Sequence, residues 1–153
     1  MTATGSITTP AILEEMVTRL GGLRADTERR WGTMTAGEMV CHLADCGTSI
    51  LSRSDSKRPA RHRPIFKWLA LYTAIPWPRG RRTPASVDPR RGGTRPGDFE
   101  SDRRRAIEGL RTFAAAPDAL FATSHAVFGT MTPRDWRHWA CRHTDYHLKQ
   151  FGL

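Results

Sequence analysis

Eleven of the 45 residues from 53 to 97 are Pro or Gly. Such density forbids long helices or strands, because Pro removes a backbone donor and Gly weakens any regular segment. The chain is thereby divided into two regular parts joined by an irregular crossover. Only residues 65–75 of the crossover, with Phe66, Trp68, Leu69, Leu71 and Tyr72, predict a short helix, and its apolar content requires it to pack on something.

On either side the periodicity is helical. Thr9-Pro10 opens a first helix whose Ile12, Leu13, Met16, Val17 and Leu20 share a face before Gly21-Gly22 ends it. Thr35-Ala36-Gly37-Glu38 reads as a capping box, followed by an apolar face of Met39, Val40, Leu43, Cys46, Ile50 and Leu51 that runs to about Arg53. A third long helix starts at Asp98, with Glu100 and Asp102 in its first turn and Phe99, Ala106, Ile107, Leu110 and Phe113 turned inward. The last starts at Thr132-Pro133, with Asp135 at the capping-box position and Gly152 as its stop. No strand pair is predicted. The expected fold class is all-α, a four-helix bundle with a long irregular basic crossover between helices two and three. A single domain over residues 1–153 is expected, with 1–8 as a flexible N-terminal tail.

The formal charge is +9, and its location matters more than its sum. Residues 53–105 hold 15 Lys/Arg and 5 Asp/Glu, a net of +10, which leaves 9 against 10 elsewhere. The ends are therefore nearly neutral. No apolar run approaches the roughly 18 residues of a membrane helix, and residues 1–10 lack the pattern of a signal peptide, so the expectation is cytoplasmic with no membrane partner. Three cysteines are too few for a disulfide framework, and Cys41, Cys46 and Cys141 are expected as thiols.

Of the six histidines (His42, His62, His125, His138, His143 and His147), His143 and His147 stand four apart on the best-capped helix. That spacing places both imidazoles on one side, one turn apart, where two nitrogens can bind one metal ion. A half-exposed surface pair is the alternative. His42 lies on the second helix beside Met39 and Leu43. It is either a core histidine with hydrogen-bonded nitrogens or a third ligand that crosses the bundle. Three protein ligands leave an open position, which is the arrangement of a catalytic site.

These residues carry a resemblance. Trp31-Gly32-Thr33-Met34-Thr35 through Met39-Val40-Cys41-His42-Leu43 resembles the first metal motif of the DinB-like (YfiT-like) superfamily of metal-binding four-helix-bundle proteins. His125-Ala126-Val127-Phe128-Gly129-Thr130-Met131-Thr132-Pro133-Arg134-Asp135-Trp136, continuing into Arg142-His143-Thr144-Asp145-Tyr146-His147-Leu148-Lys149-Gln150-Phe151-Gly152, is similar to its second half. Pro76-Trp77-Pro78-Arg79-Gly80, Gly92-Gly93-Thr94 and Asp98-Phe99 are similar to one uncharacterised branch of unknown function; Ala126 departs from it, since proline is usual there. The resemblance covers roughly residues 10–153. It implies a divalent metal (zinc, nickel or iron) held by His42, His143 and His147. It further implies enzymes in which the metal activates a low-molecular-weight thiol, and a homodimer.

Cys46, four residues after His42, is a small buried hydrophobe or a thiolate that joins the metal or reacts. Tyr146 packs in the core or hydrogen-bonds an oxyanion. Asp45 and Asp145 are candidates to accept a proton from a metal-bound imidazole, and Asp145 is equally read as a solvated helix residue. Gln150 is a candidate to orient water. The leading function is a divalent-metal-dependent enzyme, a thiol S-transferase or hydrolase, acting on a small-molecule substrate with thiol or water as nucleophile. A non-catalytic metal-binding or stress-response protein is the alternative. Nucleic-acid binding through residues 53–105 comes last, since the aromatics there cluster instead of alternating with arginines. A plain solvated loop or an electropositive rim that attracts an anionic substrate are the other readings of that stretch.

Overall fold

A computed structural model of the chain describes residues 4–53 and 63–153. Residues 1–3 and 54–62, the latter with His62 and the start of the crossover, lie outside the described residues. Among the described residues there are five α-helices and one small antiparallel hairpin: α1 (Pro10–Gly21), α2 (Ala36–Leu51), α3 (Pro64–Tyr72), α4 (Phe99–Ala115), β1 (Ser124–His125), β2 (Gly129–Thr130) and α5 (Pro133–Gln150). No described helix is long and apolar enough to cross a membrane.

Local chemistry sets the helix ends. Thr35 Oγ1 accepts from the Glu38 N–H while Glu38 accepts from the Thr35 N–H. Thr132 and Asp135 repeat that exchange at the start of α5. Each capping box satisfies two of the donors that a helix start leaves orphaned. Asp98 caps α4 by accepting from the Ser101 N–H. Thr9 precedes α1 but makes no side-chain capping bond; Pro10 alone marks the first turn. At the far end of α5, Gly152 has φ +80°, and the N–H groups of Gly152 and Leu153 return to Lys149 O and Leu148 O. This is a Schellman stop, a conformation that a Cβ strains.

The amphipathic faces then pack, with α2 against α4, α1 against α4 and α5, α2 against α5, and α3 laid on α5. Met16, Leu20, Met39, Val40, Phe113 and Leu148 fill the space between them. The three cysteines are buried and form no disulfide. Residues 4–8, expected in a tail, are docked: Ile7 is fully buried and its N–H donates to Arg137 O. The hairpin is an element that periodicity could not predict, because two-residue strands show no alternation. His125 closes its turn by accepting from the Val127 and Phe128 N–H groups through Nδ1.

In the described part of the crossover, a 3₁₀ turn over Ala85–Val87 folds back on Gly92 and Gly93. A Cβ on Gly93 would lie 2.9 Å from the backbone of Val87 and Asp88, so only glycine allows this approach. Several basic residues of the stretch 53–105 are structural. Arg90 forks onto Glu38 at 2.6 and 2.7 Å and also reaches Thr33 O. Arg103 holds Gly21 O and Leu23 O, and Lys67 ties α3 to Asp135 and Thr130 O.

Candidate metal centre

His42 projects from the middle of α2, and His143 and His147 project one turn apart from α5. The packing of α2 on α5 brings the three imidazoles together. His143 Nε2 lies 3.3 Å from His42 Nε2 and 3.2 Å from His147 Nε2. His42 and His147 are buried, and His143 is half-buried, with its ring stacked on Trp139 at 4.2 Å.

The far nitrogens determine what the near ones can do. His42 Nδ1 is 2.8 Å from Val87 O, and a carbonyl only accepts, so Nδ1 carries the proton and Nε2 is a bare lone pair. His147 Nδ1 donates to Gln150 Oε1 at 2.7 Å, which leaves its Nε2 bare as well. A proton on His143 Nε2 could serve only one of those two lone pairs. Burial pushes all three imidazoles toward the neutral form, His147 down to about 3, and for His143 and His147 repulsion from neighbouring imidazoles adds to this. Neutral imidazoles with inward lone pairs are donors suited to a borderline divalent cation, and the outward N–H groups of His42 and His147 are held as metal ligands require.

Cys46 also belongs to this cluster. Its Sγ lies 3.7 Å from both ring nitrogens of His42, and the donor atoms of His42, Cys46 and His143 all lie within 4.8 Å of one another. These three residues form a candidate buried metal-binding group. Equal distances to Nδ1 and Nε2 place the sulfur beside the His42 ring rather than off its free lone pair. Burial, reinforced by the Asp45 charge, pushes the thiol well up, so without a cation beside it Cys46 is not a thiolate.

Other candidates have different jobs. Asp45 accepts from Thr94 N and Oγ1 at 2.6 and 2.9 Å, which ties the crossover to α2. Asp145 is buried between Arg19 (2.9 Å) and Lys149 (2.7 Å). Neither carboxylate receives an imidazole proton, because cationic and loop donors take their oxygens. Tyr146 donates to Pro78 O at 3.3 Å and meets Trp31 edge-on at 4.9 Å. Its hydroxyl is thus turned toward the crossover. Gln150, expected to orient water, orients His147. Val87 was missed altogether, since a backbone carbonyl leaves no signature in a sequence. His138 packs on Tyr72, away from the cluster, with ring centroids 4.3 Å apart. Compared with protein-family models, curated proteins and solved structures, the chain finds no match in any of the three.

Proposed function

We propose that this chain is a divalent-metal-dependent enzyme of the DinB-like type, a four-helix bundle of α1, α2, α4 and α5 that holds its ion through His42, His143 and His147. The observation that carries the reading is the Nε2 spacing of 3.2 and 3.3 Å around His143. Nitrogens about 2.0–2.1 Å from a tetrahedral ion stand roughly 3.3–3.4 Å apart, so the two edges that meet at His143 already have the lengths of such a site. When bound, the ion supplies Lewis acidity that lowers the pKa of a thiol or water at an open position.

The protein's own groups do the rest. Val87 O and Gln150 Oε1 fix the His42 and His147 tautomers. Trp139 fixes the plane of the His143 ring, and Trp77 lies 6.5 Å from it. The buried surround on the α2 side strengthens every electrostatic contact within it. Since His143 is the half-buried member, a small-molecule substrate approaches from its side.

A second reading, a closed structural site with no turnover, draws on Cys46. Its sulfur would complete the shell and remove the open position. Two variants and one spectrum separate the readings. His147→Ala is expected to abolish stoichiometric zinc or cobalt uptake, while Cys46→Ser retains it. The cobalt form of the parent protein is expected to lack sulfur-to-cobalt charge-transfer absorption. A His147→Ala protein that keeps one ion per chain contradicts the three-histidine site. A charge-transfer band lost in Cys46→Ser establishes the closed shell instead.

A further inference from the structure

The helix α3 is turned the wrong way round for a helix facing water. Its one charged residue, Lys67, points inward, donating to Asp135 Oδ2 at 2.8 Å and to Thr130 O at 2.9 Å. Ala70 and Leu71 are buried beneath it. Its largest apolar side chains point out: Ile65 is 75% exposed, Trp68 56% and Phe66 42%, and Ile75 just beyond its end is 51% exposed. Single exposed hydrophobics are ordinary, but these make four of the five large ones exposed among the described residues, and they lie within eleven positions. A helix that is apolar all round belongs in a covered environment.

Charge decides what covers it. Residues 63–87 contain Arg63, Lys67, Arg79, Arg81 and Arg82 and no Asp or Glu. With Lys67 turned inward, the four arginines of this acid-free stretch are all exposed, Arg79 over the Trp31 ring at 4.9 Å. A second copy of so basic a surface is repelled, whereas an anionic layer is attracted. We propose that the outer face of α3 docks on an anionic membrane surface, with Ile65, Phe66 and Trp68 beneath the lipid headgroups and the arginines among them. The aromatic and aliphatic side chains gain from leaving water, and each basic residue near the surface adds attraction. The nine-residue helix would lie in the plane of the surface, and no membrane-crossing helix is required. This reverses the expectation from hydropathy that no membrane is a partner, and it is independent of the metal reading.

The test is co-sedimentation of the full chain with vesicles of phosphatidylcholine mixed with phosphatidylglycerol, against phosphatidylcholine alone. Binding is expected to the anionic vesicles only, to weaken as salt is raised, and to fall at least about tenfold in Ile65→Ser/Trp68→Ser. Both side chains are exposed, so the variant's thermal midpoint is expected to match the parent's. Should that variant unfold, Arg63→Glu/Arg82→Glu tests the same surface through charge alone and is expected to lose binding. No binding, equal binding to neutral vesicles, or unchanged binding in a folded variant overturns the proposal. So does a concentration-dependent dimer in vesicle-free solution that Ile65→Ser/Trp68→Ser dissociates, since a second copy then covers the face.

Discussion

His147 owes its ring orientation to Gln150, and Gln150 has its place because residue 32 is a glycine. Gly32 sits at φ +85°, and a Cβ there would lie 2.6 Å from Gln150 Nε2. Gly32→Ala is therefore expected to weaken metal affinity by about 10–100-fold, the usual effect of losing an outer partner of a ligand. Competition titration with a chelator reads this, and Gln150→Ala is expected to show the same loss; unchanged affinity in both contradicts the role of Gln150. His125 gives a second residue-level test. Burial, and then the Arg81 charge, pushes its imidazole down to about 4 from 6.5. The unfolded chain takes up that proton first as pH falls, so the stabilisation from His125 is complete above about pH 6.5 and drains away toward pH 4. Denaturant melts across this window are expected to show falling stability, with a shallower slope in His125→Phe. The i, i+4 histidines and His42 were legible because side-chain type and helical spacing are sequence properties. Val87 O and the redirected Gln150 were not, since both depend on where the crossover folds back.

At the level of elements, Asp135 is a junction. It completes the capping box of α5, accepts from Lys67 and Tyr72 of α3, and through Lys67 reaches the hairpin at Thr130 O. Burial pushes its carboxyl up, and Lys67, the Thr132 N–H and Tyr72 outweigh this and hold it below the usual range. Removing one partner of a buried ion pair leaves the other uncompensated, so Asp135→Ala is expected to cost about 3–5 kcal/mol in denaturant unfolding. Asp135→Asn retains a side-chain acceptor at the cap and is expected to cost less; equal, small losses in both contradict the junction. Capping boxes are legible because both partners lie within four residues. The partners of Asp45 and Asp145 were hidden for the opposite reason. These, Thr94 and Arg19, are 49 and 126 positions away, and proximity in sequence to a histidine says nothing of them. The outward face of α3 was likewise invisible, because its apolar content predicts burial and only the fold shows which side is left over.

Across the whole molecule, the division by Pro and Gly sets how the site is assembled. One half supplies His42 on α2, the other supplies His143 and His147 on α5, and the crossover supplies the carbonyl that orients His42. Part of the basic charge of residues 53–105, which suggested a polyanion partner, is used in wiring, with Arg90 on Glu38, Arg91 on Asp88 and Arg105 on Asp45, while Arg63, Arg79, Arg81 and Arg82 stay exposed. The unfolded chain does not keep His42 and the α5 pair together, so a bound ion is linked to folding and stabilises by mass action. The central claim is the identity of the donors. X-ray absorption on the zinc-loaded full chain tests it most directly. It is expected to show nitrogen or oxygen neighbours at about 2.0–2.1 Å and no sulfur at about 2.3 Å, with elemental analysis giving one ion per chain. A sulfur neighbour, or a chain that retains no ion, contradicts it.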